Sequence, residues 1–175
     1  FPSQEFYEGK LIADDSVAKH VASELPGVTP SDLISRPVTY VDTAGAGFDE
    51  AWNELLESRE NKGEAELAVK LLRELLDSGL KAKDGAILTP YVAQAKLLKT
   101  LVQEKGLEIG SIDGFQGREK EAVILSLVRS NEAGQIGFLS DMRRLNVAIT
   151  RARRCLIVVG DSATVARHPV YARFV

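Results

Sequence analysis

Two polar segments of this sequence carry most of its candidate chemistry. The first, Asp113–Glu119, places two glycines three residues apart and ends in an arginine and a glutamate. A glycine has no Cβ, so backbone there can approach a ligand closely. The second, Asn146–Arg154, is rich in arginine, whose planar guanidinium binds two phosphate oxygens at once. Apolar runs at 122–128 and 155–159 follow the two segments and are typical of buried strands. The stretch 111–161 therefore predicts half of a nucleotide-phosphate site.

The glycine-bounded segment offers a neutral hydrogen-bonding group, a cation and an anion. Gln116 can position water or phosphate, and Glu119 can accept a hydrogen bond from water or pair with a cation. An exposed turn with a surface salt bridge is the alternative interpretation, and the segment by itself is equally compatible with both.

The arginine-rich segment predicts a helix that begins after Asp141. Arg144, Ala148 and Arg151 recur at steps of four and three, so we expect them to share one stripe of that helix. The opposite, core-facing stripe is predicted to hold Met142, Leu145, Ile149 and Ala152. Arg151 is the candidate for stabilising charge on a γ-phosphate, whereas a solvated helix face is the alternative.

Strands and helices alternate along the chain, which predicts an α/β fold. The predicted strands are 38–42, 85–89, 108–112, 122–128 and 155–159. The predicted helices are 61–78, 92–103 and the one after Asp141, with short helical pieces near both ends. Segment 51–60 is predicted to be an exposed loop or short helix around Trp52. Two strands apolar throughout predict one parallel sheet covered by helices on both faces, within a single domain spanning 1–175.

Composition argues against several classes of protein. No apolar run approaches the roughly 18 residues of a membrane span, and a single cysteine, Cys155, cannot form an intrachain disulfide. His20 and His168 lie far apart without a companion motif, so we expect no metal site within the chain. The net charge of −3 argues against a generally basic nucleic-acid binder, although five arginines lie between positions 143 and 154. We expect a soluble, intracellular, monomeric protein without a membrane partner.

The sequence also lacks parts that a complete nucleotide site requires. No Gly-x-x-x-x-Gly-Lys-Ser/Thr segment occurs, and no apolar strand ends in paired acids. The chain opens at Phe1 and its sole methionine is Met142, from which we expect an excised domain. A second domain would then have to complete the site.

At three segments the sequence resembles a known family. Ser111–Glu121 resembles helicase motif V, Arg144–Arg153 resembles motif VI, and Leu88–Gln94 resembles motif IV. All three have the form typical of superfamily 1B helicases related to the nonsense-mediated-decay helicase and the immunoglobulin mu-binding helicase. Weaker likeness extends to Phe1–Leu11 and Val41–Thr43, so the resemblance covers nearly the whole chain.

The resemblance implies a RecA-like fold of the P-loop NTPase type and a division of roles. In that family the matching segments belong to the second of two RecA-like domains, and ATP lies in the cleft between them. It implies that Arg151 is the arginine finger and that Glu119 and Gln116 line the γ-phosphate side. Residues Gly117 and Arg144 are likewise assigned to the nucleotide. The residues assigned to single-stranded DNA or RNA are Thr89, Pro90, Tyr91, Ser111 and Asp113.

The same resemblance implies that the first RecA-like domain binds most of the ATP and its Mg²⁺ and is this chain's partner. The expected function is ATP hydrolysis coupled to movement along a single strand, with the isolated chain inactive. A non-catalytic nucleic-acid-binding or protein-interaction module of helicase-like fold is the alternative. A flavodoxin-type phosphate-binding domain ranks below both, because Asp42 and Asp113 are isolated acids.

Overall fold

Seven strands and six helices make up the structure, a computed structural model that describes residues 1–175. The strands are β1 (Val38–Asp42), β2 (Ala51–Asn53), β3 (Ser58–Glu60), β4 (Gly85–Thr89), β5 (Glu108–Ser111), β6 (Lys120–Ser126) and β7 (Ala152–Gly160). The helices are α1 (Pro2–Phe6), α2 (Lys62–Asp77), α3 (Val92–Leu101), α4 (Met142–Ile149), α5 (Ser162–Val165) and α6 (Pro169–Phe174). Five strands form a parallel sheet in the order β1-β7-β6-β4-β5.

The two faces of this sheet carry separate hydrophobic cores. Successive residues of a strand point to opposite faces, and β6 buries all of its apolar ones. Ala122 and Ile124 pack with the buried side of α2, whereas Val123 and Leu125 pack with α4 and Phe115. The predicted parallel sheet with helices on both faces is therefore confirmed. Cys155 is buried as predicted, and burial raises the pKa of its thiol to about 11.

Two local predictions are wrong. Segment 51–60 is an antiparallel hairpin of β2 and β3, too short and too polar for its alternation to be read from the sequence. Helix α4 ends at Ile149, so Arg151 lies in the turn before β7. Ala148 is fully buried beside Leu145, and the predicted exposed stripe does not exist.

A buried carboxyl group joins the first turn of α2 to the end of β6. Glu64 is inaccessible to solvent, and its Oε2 accepts hydrogen bonds from Ser126 Oγ and Val128 N, both at 2.8 Å. Its other oxygen is buried without a partner. Desolvation raises the pKa of Glu64 to about 8, outweighing the two hydrogen bonds, which act in the opposite direction. The carboxyl group is therefore protonated in the folded protein at neutral pH.

This raised pKa makes stability fall as pH rises. The folded state retains a proton on Glu64 that the unfolded chain releases near its ordinary pKa, so the contribution of this group is lost between about pH 5 and pH 8. We expect the urea midpoint of the wild type to decline over this range relative to that of Glu64→Gln, which is uncharged at every pH. Glu66→Gln, an exposed change on the same helix, should keep the wild-type profile. Parallel profiles for wild type and Glu64→Gln would contradict the assignment.

A buried ion pair holds the hairpin against the sheet. Glu50, just before β2, accepts from Arg129 Nε at 2.7 Å and lies 2.8 Å from Arg59 Nη1. The same carboxylate accepts from Ser130 N at 2.9 Å and Asn131 Nδ2 at 3.1 Å. Glu50 and Arg129 side chains are only 6% and 4% exposed. This one carboxylate therefore ties the hairpin to the loop that follows β6.

Removing that carboxylate should destabilise the fold strongly. Glu50→Ala leaves the buried Arg129 guanidinium without a counter-charge, which costs about 3–5 kcal/mol for a typical buried pair. Glu54→Ala removes an exposed carboxylate from the same hairpin and should change stability by less than about 0.5 kcal/mol. Chemical denaturation of both variants measures the difference. Equal, small losses would show that the pair does not hold the hairpin.

Candidate nucleotide and nucleic-acid site

The two polar segments singled out in the sequence run side by side across one face of the sheet. Strands β5 and β6 flank β4 and run parallel to it, so the loop 112–119 must return from the carboxyl end of β5 to the amino end of β6. Helix α4 and the turn after it make the same return, from the end of β6 to the start of β7. Each segment therefore has one end at the carboxyl edge of the sheet and the other at the amino edge.

Contacts between the segments occur along their whole length. Near the carboxyl edge, Arg144 Nε lies 3.2 Å from Asp113 Oδ1. Near the amino edge, Arg151 Nη1 donates to the carbonyl of Arg118 at 3.1 Å. Beyond it, Arg153 pairs with Glu119. The structure thus joins the two segments into one surface with two distinct ends.

The loop is anchored by its one large apolar side chain. Phe115 is buried in the core beneath α4, and Arg118 Cζ lies 4.6 Å from the centre of its ring. Arg118 also pairs with Glu108 at the start of β5. The hydrogen bond from Lys120 to Glu108 lowers the pKa of that carboxyl group, which keeps the pairing charged. The loop backbone is therefore held in place while its polar groups stay in solvent.

Arg151 is the distinctive cation of the amino edge. It is half-buried, and its Nε, Nη1 and Nη2 donate to Val147 O, Arg118 O and Thr150 Oγ1 at 2.9, 3.1 and 3.2 Å. All three acceptors are uncharged. Three neighbouring arginines form ion pairs with carboxylates: Arg144, Arg153 and Arg154. Arg151 pairs with none, so its charge is unanswered within the chain.

The remaining nucleotide candidates lie on loop 112–119, which Arg151 contacts at the Arg118 carbonyl, with one exception. Gln116, Gly117 and Glu119 are exposed, and the left-handed backbone of Gly117 (φ 78°) suits a residue without a Cβ. The Glu119 pair with Arg153 is more than half exposed on both sides, so it is weakly held. Arg144 is the exception, because it lies with Asp113 near the other end of the surface.

The nucleic-acid candidates meet at the carboxyl edge, where the predicted strand ends place them. Thr89 and Tyr91 are only 0% and 3% exposed, and Thr89 Oγ1 accepts from Tyr91 N at 3.3 Å, which makes it a local cap. Pro90 and Ser111 are half-buried, and Ser111 Oγ accepts from Gly114 N at 3.2 Å. Asp113 is exposed. A ligand at this edge can reach Pro90, Ser111 and Asp113 far more readily than Thr89.

A cleft beside the same edge was not predicted. It has a volume of about 280 Å³, and we call it the hairpin cleft. Its lining includes Trp52, Ser58, Arg59, Tyr91, Arg129 and Phe138. These residues come from the hairpin, the start of α3 and the segment between β6 and α4, so no sequence spacing connects them. The only local signal was a tryptophan in a polar segment.

A larger cavity lies outside the candidate site. It has a volume of about 610 Å³ and lies against the starts of β1 and β7, near Phe1, His20 and Phe174. Arg153 and Arg154 reach its wall, but Arg151 does not. No group of three or more His, Cys, Asp or Glu side chains is placed to hold a metal ion. None of the helices has both the length and the hydropathy of a membrane span.

Comparison with known proteins places these features in a family. The AAA domain family matches residues 1–163. The rat DNA-binding protein SMUBP-2 is 48% identical over 168 residues, covering 95% of this chain and 17% of that protein. The DNA polymerase alpha-associated DNA helicase A of Schizosaccharomyces pombe is 45% identical over 172 residues, covering 94% and 26%.

A third relative extends the comparison to greater distance. The regulator of nonsense transcripts 1 of Dictyostelium discoideum is 35% identical over 181 residues, covering 98% of this chain and 13% of that protein. The chain thus spans between 13% and 26% of the length of these three relatives. Because the family match extends over residues 1–163, the chain belongs to the AAA domain family, in keeping with the superfamily 1 helicase resemblance of its motifs.

Proposed function

We propose that this chain is the C-terminal RecA-like half of an ATP-dependent, superfamily 1 helicase, and that Arg151 is its arginine finger. The observation that carries the proposal is the unanswered charge of Arg151 at the amino edge of the sheet. A half-buried guanidinium without a counter-charge has lost part of its hydration, and an anion bound to it would offset that loss. An ATP γ-phosphate, presented by a facing domain, is such an anion.

The hydrogen bonds of Arg151 suit this role. A guanidinium has five N–H donors, and Nε, Nη1 and Nη2 each donate once within the chain. One N–H therefore remains on each terminal nitrogen, and a fork of two such donors can bind two phosphate oxygens. The three internal bonds fix the orientation of that fork before the nucleotide arrives. Such preorganisation favours stabilisation of the transition state over binding of the ground state.

Neighbouring residues extend the proposed nucleotide surface. Gln116 can orient the attacking water, and Glu119 can accept a proton or hydrogen bond from it once its exposed pair with Arg153 opens. Gly117 leaves the backbone open on the side that would face the phosphate. The magnesium ion and the β-phosphate require a phosphate loop and acidic strand that this chain does not contain, so the partner domain supplies them.

The nucleic-acid end of the same surface supports coupling between hydrolysis and movement. Loop 112–119 reaches from Ser111 and Asp113 at the carboxyl edge to Glu119 at the amino edge. A shift of Arg151 on phosphate release would act directly on the Arg118 carbonyl within that loop. The single strand, DNA or RNA, would contact the other end, so hydrolysis and strand contact share one connected segment. Relatives named as a DNA-binding protein and a DNA helicase are consistent with this substrate class.

Replacing Arg151 tests the proposal directly. In the full-length protein, Arg151→Ala should reduce ATP turnover about a thousandfold or more, because the charge that develops on the γ-phosphate loses its arginine. ATP affinity should change little, since the partner domain makes most ground-state contacts. Steady-state hydrolysis and equilibrium binding of a fluorescent ATP analogue measure the two quantities.

The control is Arg73→Ala, an exposed arginine of α2 on the opposite face of the sheet, which should retain wild-type turnover. Thermal unfolding of each variant shows whether the fold is intact. Turnover near wild type in a folded Arg151→Ala variant would refute the assignment of the arginine finger.

A further inference from the structure

We propose that the hairpin cleft binds one unstacked base of the single strand, held between Trp52 and Phe138. This inference rests on the proposed function, because it names a base-binding subsite for the same nucleic acid. Nothing in motifs IV, V or VI includes Trp52 or the hairpin on which it lies. The cleft opens beside the carboxyl edge, and Tyr91, which follows the strand-end residue Thr89, forms part of its lining.

The walls of the cleft are exposed aromatic rings. Trp52 and Phe138 retain 49% and 59% of their surface in solvent, although large apolar side chains are normally covered. Both line the same cavity from different segments of the chain. Every nucleobase presents a flat π-face, so stacking on aromatic side chains is the common way in which proteins hold single strands without reading sequence.

Arginine or tyrosine side chains lie close to both rings. Arg59 Cζ lies 5.7 Å from the centre of the Trp52 ring. Arg144 Cζ lies 5.5 Å from the centre of the Phe138 ring, and the Tyr91 ring centre lies 5.7 Å from it. These contacts restrict the rotation of side chains that would otherwise be free in solvent. A base entering the cleft would therefore lose less free energy to side-chain ordering.

The floor of the cleft is rigid and polar. Arg129 is 3% exposed, is fixed by Glu50 at 2.7 Å, and lies 3.4 Å from Tyr91 Oη through its Nη1. Gly137 (φ 53°) makes this possible, because a Cβ there would lie 2.1 Å from Arg129 Nη1. Ser58 contributes a hydroxyl group to the lining. The floor thus offers hydrogen-bonding groups to the edge of a base stacked between the walls.

Charge and size favour a base over a phosphate or a whole nucleotide. Arg59 and Arg129 share the carboxylate of Glu50, and Glu57 also lines the cleft, so the two cations are balanced by two anions. A phosphate gains little from such a neutral site. The volume of about 280 Å³ lies at the lower limit of ordinary ligand pockets, about 300–1,000 Å³, which suits one planar group.

The test compares two strands that differ only in their bases. The full-length protein is titrated with a fluorescently labelled oligothymidine and with an abasic strand of the same length, which keeps the phosphates and loses every base. We expect Trp52→Ala to weaken binding of oligothymidine by roughly 5- to 150-fold, the range typical of one stacked base. Binding of the abasic strand should be unchanged. Trp52→Phe keeps an aromatic face and should stay near wild type.

Leu55→Ala is the matched control, since Leu55 is 90% exposed in the turn of the same hairpin but does not line the cleft. Phe138→Ala should reproduce the base-dependent loss, because Phe138 lines the same cleft. Repeating the titrations with oligouridine identifies whether DNA or RNA enters more favourably. A loss of affinity for oligothymidine or for oligouridine, without a loss for the abasic strand, supports the proposal. Because Trp52 is half exposed, its replacement should not unfold the protein, which thermal unfolding verifies.

Photocrosslinking supplies a second readout. A strand carrying 5-iodouracil should crosslink to Trp52 or Phe138, and mass spectrometry locates the modified peptide. The cleft assignment would be overturned if Trp52→Ala lost affinity equally for the base-containing and the abasic strand, or lost none for any strand. Crosslinks found only elsewhere would also overturn it. The proposed helicase function fails separately, if the wild type binds neither strand or if Arg151→Ala hydrolyses ATP normally.

Discussion

The candidate site depends on a geometric requirement of parallel strands. Every connection between two parallel strands of one sheet must cross the height of the sheet, and such crossovers are ordinarily built as helices. Between β5 and β6 the chain makes this crossing as an irregular loop, 112–119, pinned by the buried Phe115. An irregular crossing leaves backbone groups available, and α4 crosses beside it. Arg144 therefore meets Asp113 near one edge of the sheet and Arg151 meets the Arg118 carbonyl near the other.

A buried network of hydrogen bonds lies at the carboxyl end of the sheet, on the face covered by α2 and α3. Gln94 of α3 donates to Ser126 Oγ and Asn61 O, and Ser126 in turn donates to Glu64. These groups tie the starts of α2 and α3 to the end of β6. Val128, whose backbone N–H also donates to Glu64, is followed by Arg129, which lines the hairpin cleft. Protonation of the Glu64 carboxyl group avoids an isolated buried anion beneath a surface that is proposed to receive nucleic acid.

The sequence predicts the sheet well because β6 and β7 are apolar on both faces, a pattern that few structures other than a covered parallel sheet can satisfy. It predicts the site only in part. Glycine and arginine types identify the two segments, but Ala148 and Arg151 were assigned to one exposed stripe because periodicity does not show where α4 ends. Glu64 was indistinguishable from an ordinary first-turn glutamate. Trp52 and Phe138 line the same cleft although they are far apart in sequence, and such a juxtaposition leaves no local pattern.

The distribution of charge on the arginine segment supports the proposal that another domain completes the site. Arg153 and Arg154 are held by carboxylates of the same chain, as expected for arginines that stabilise a surface. Arg151 instead has its orientation fixed by neutral oxygens and its charge left unanswered. Fixing a side chain restricts its rotamers, whereas leaving its charge unpaired forgoes the Coulombic attraction that would offset that loss. This arrangement suits an arginine whose anion is presented by a different domain, as proposed for the γ-phosphate of ATP.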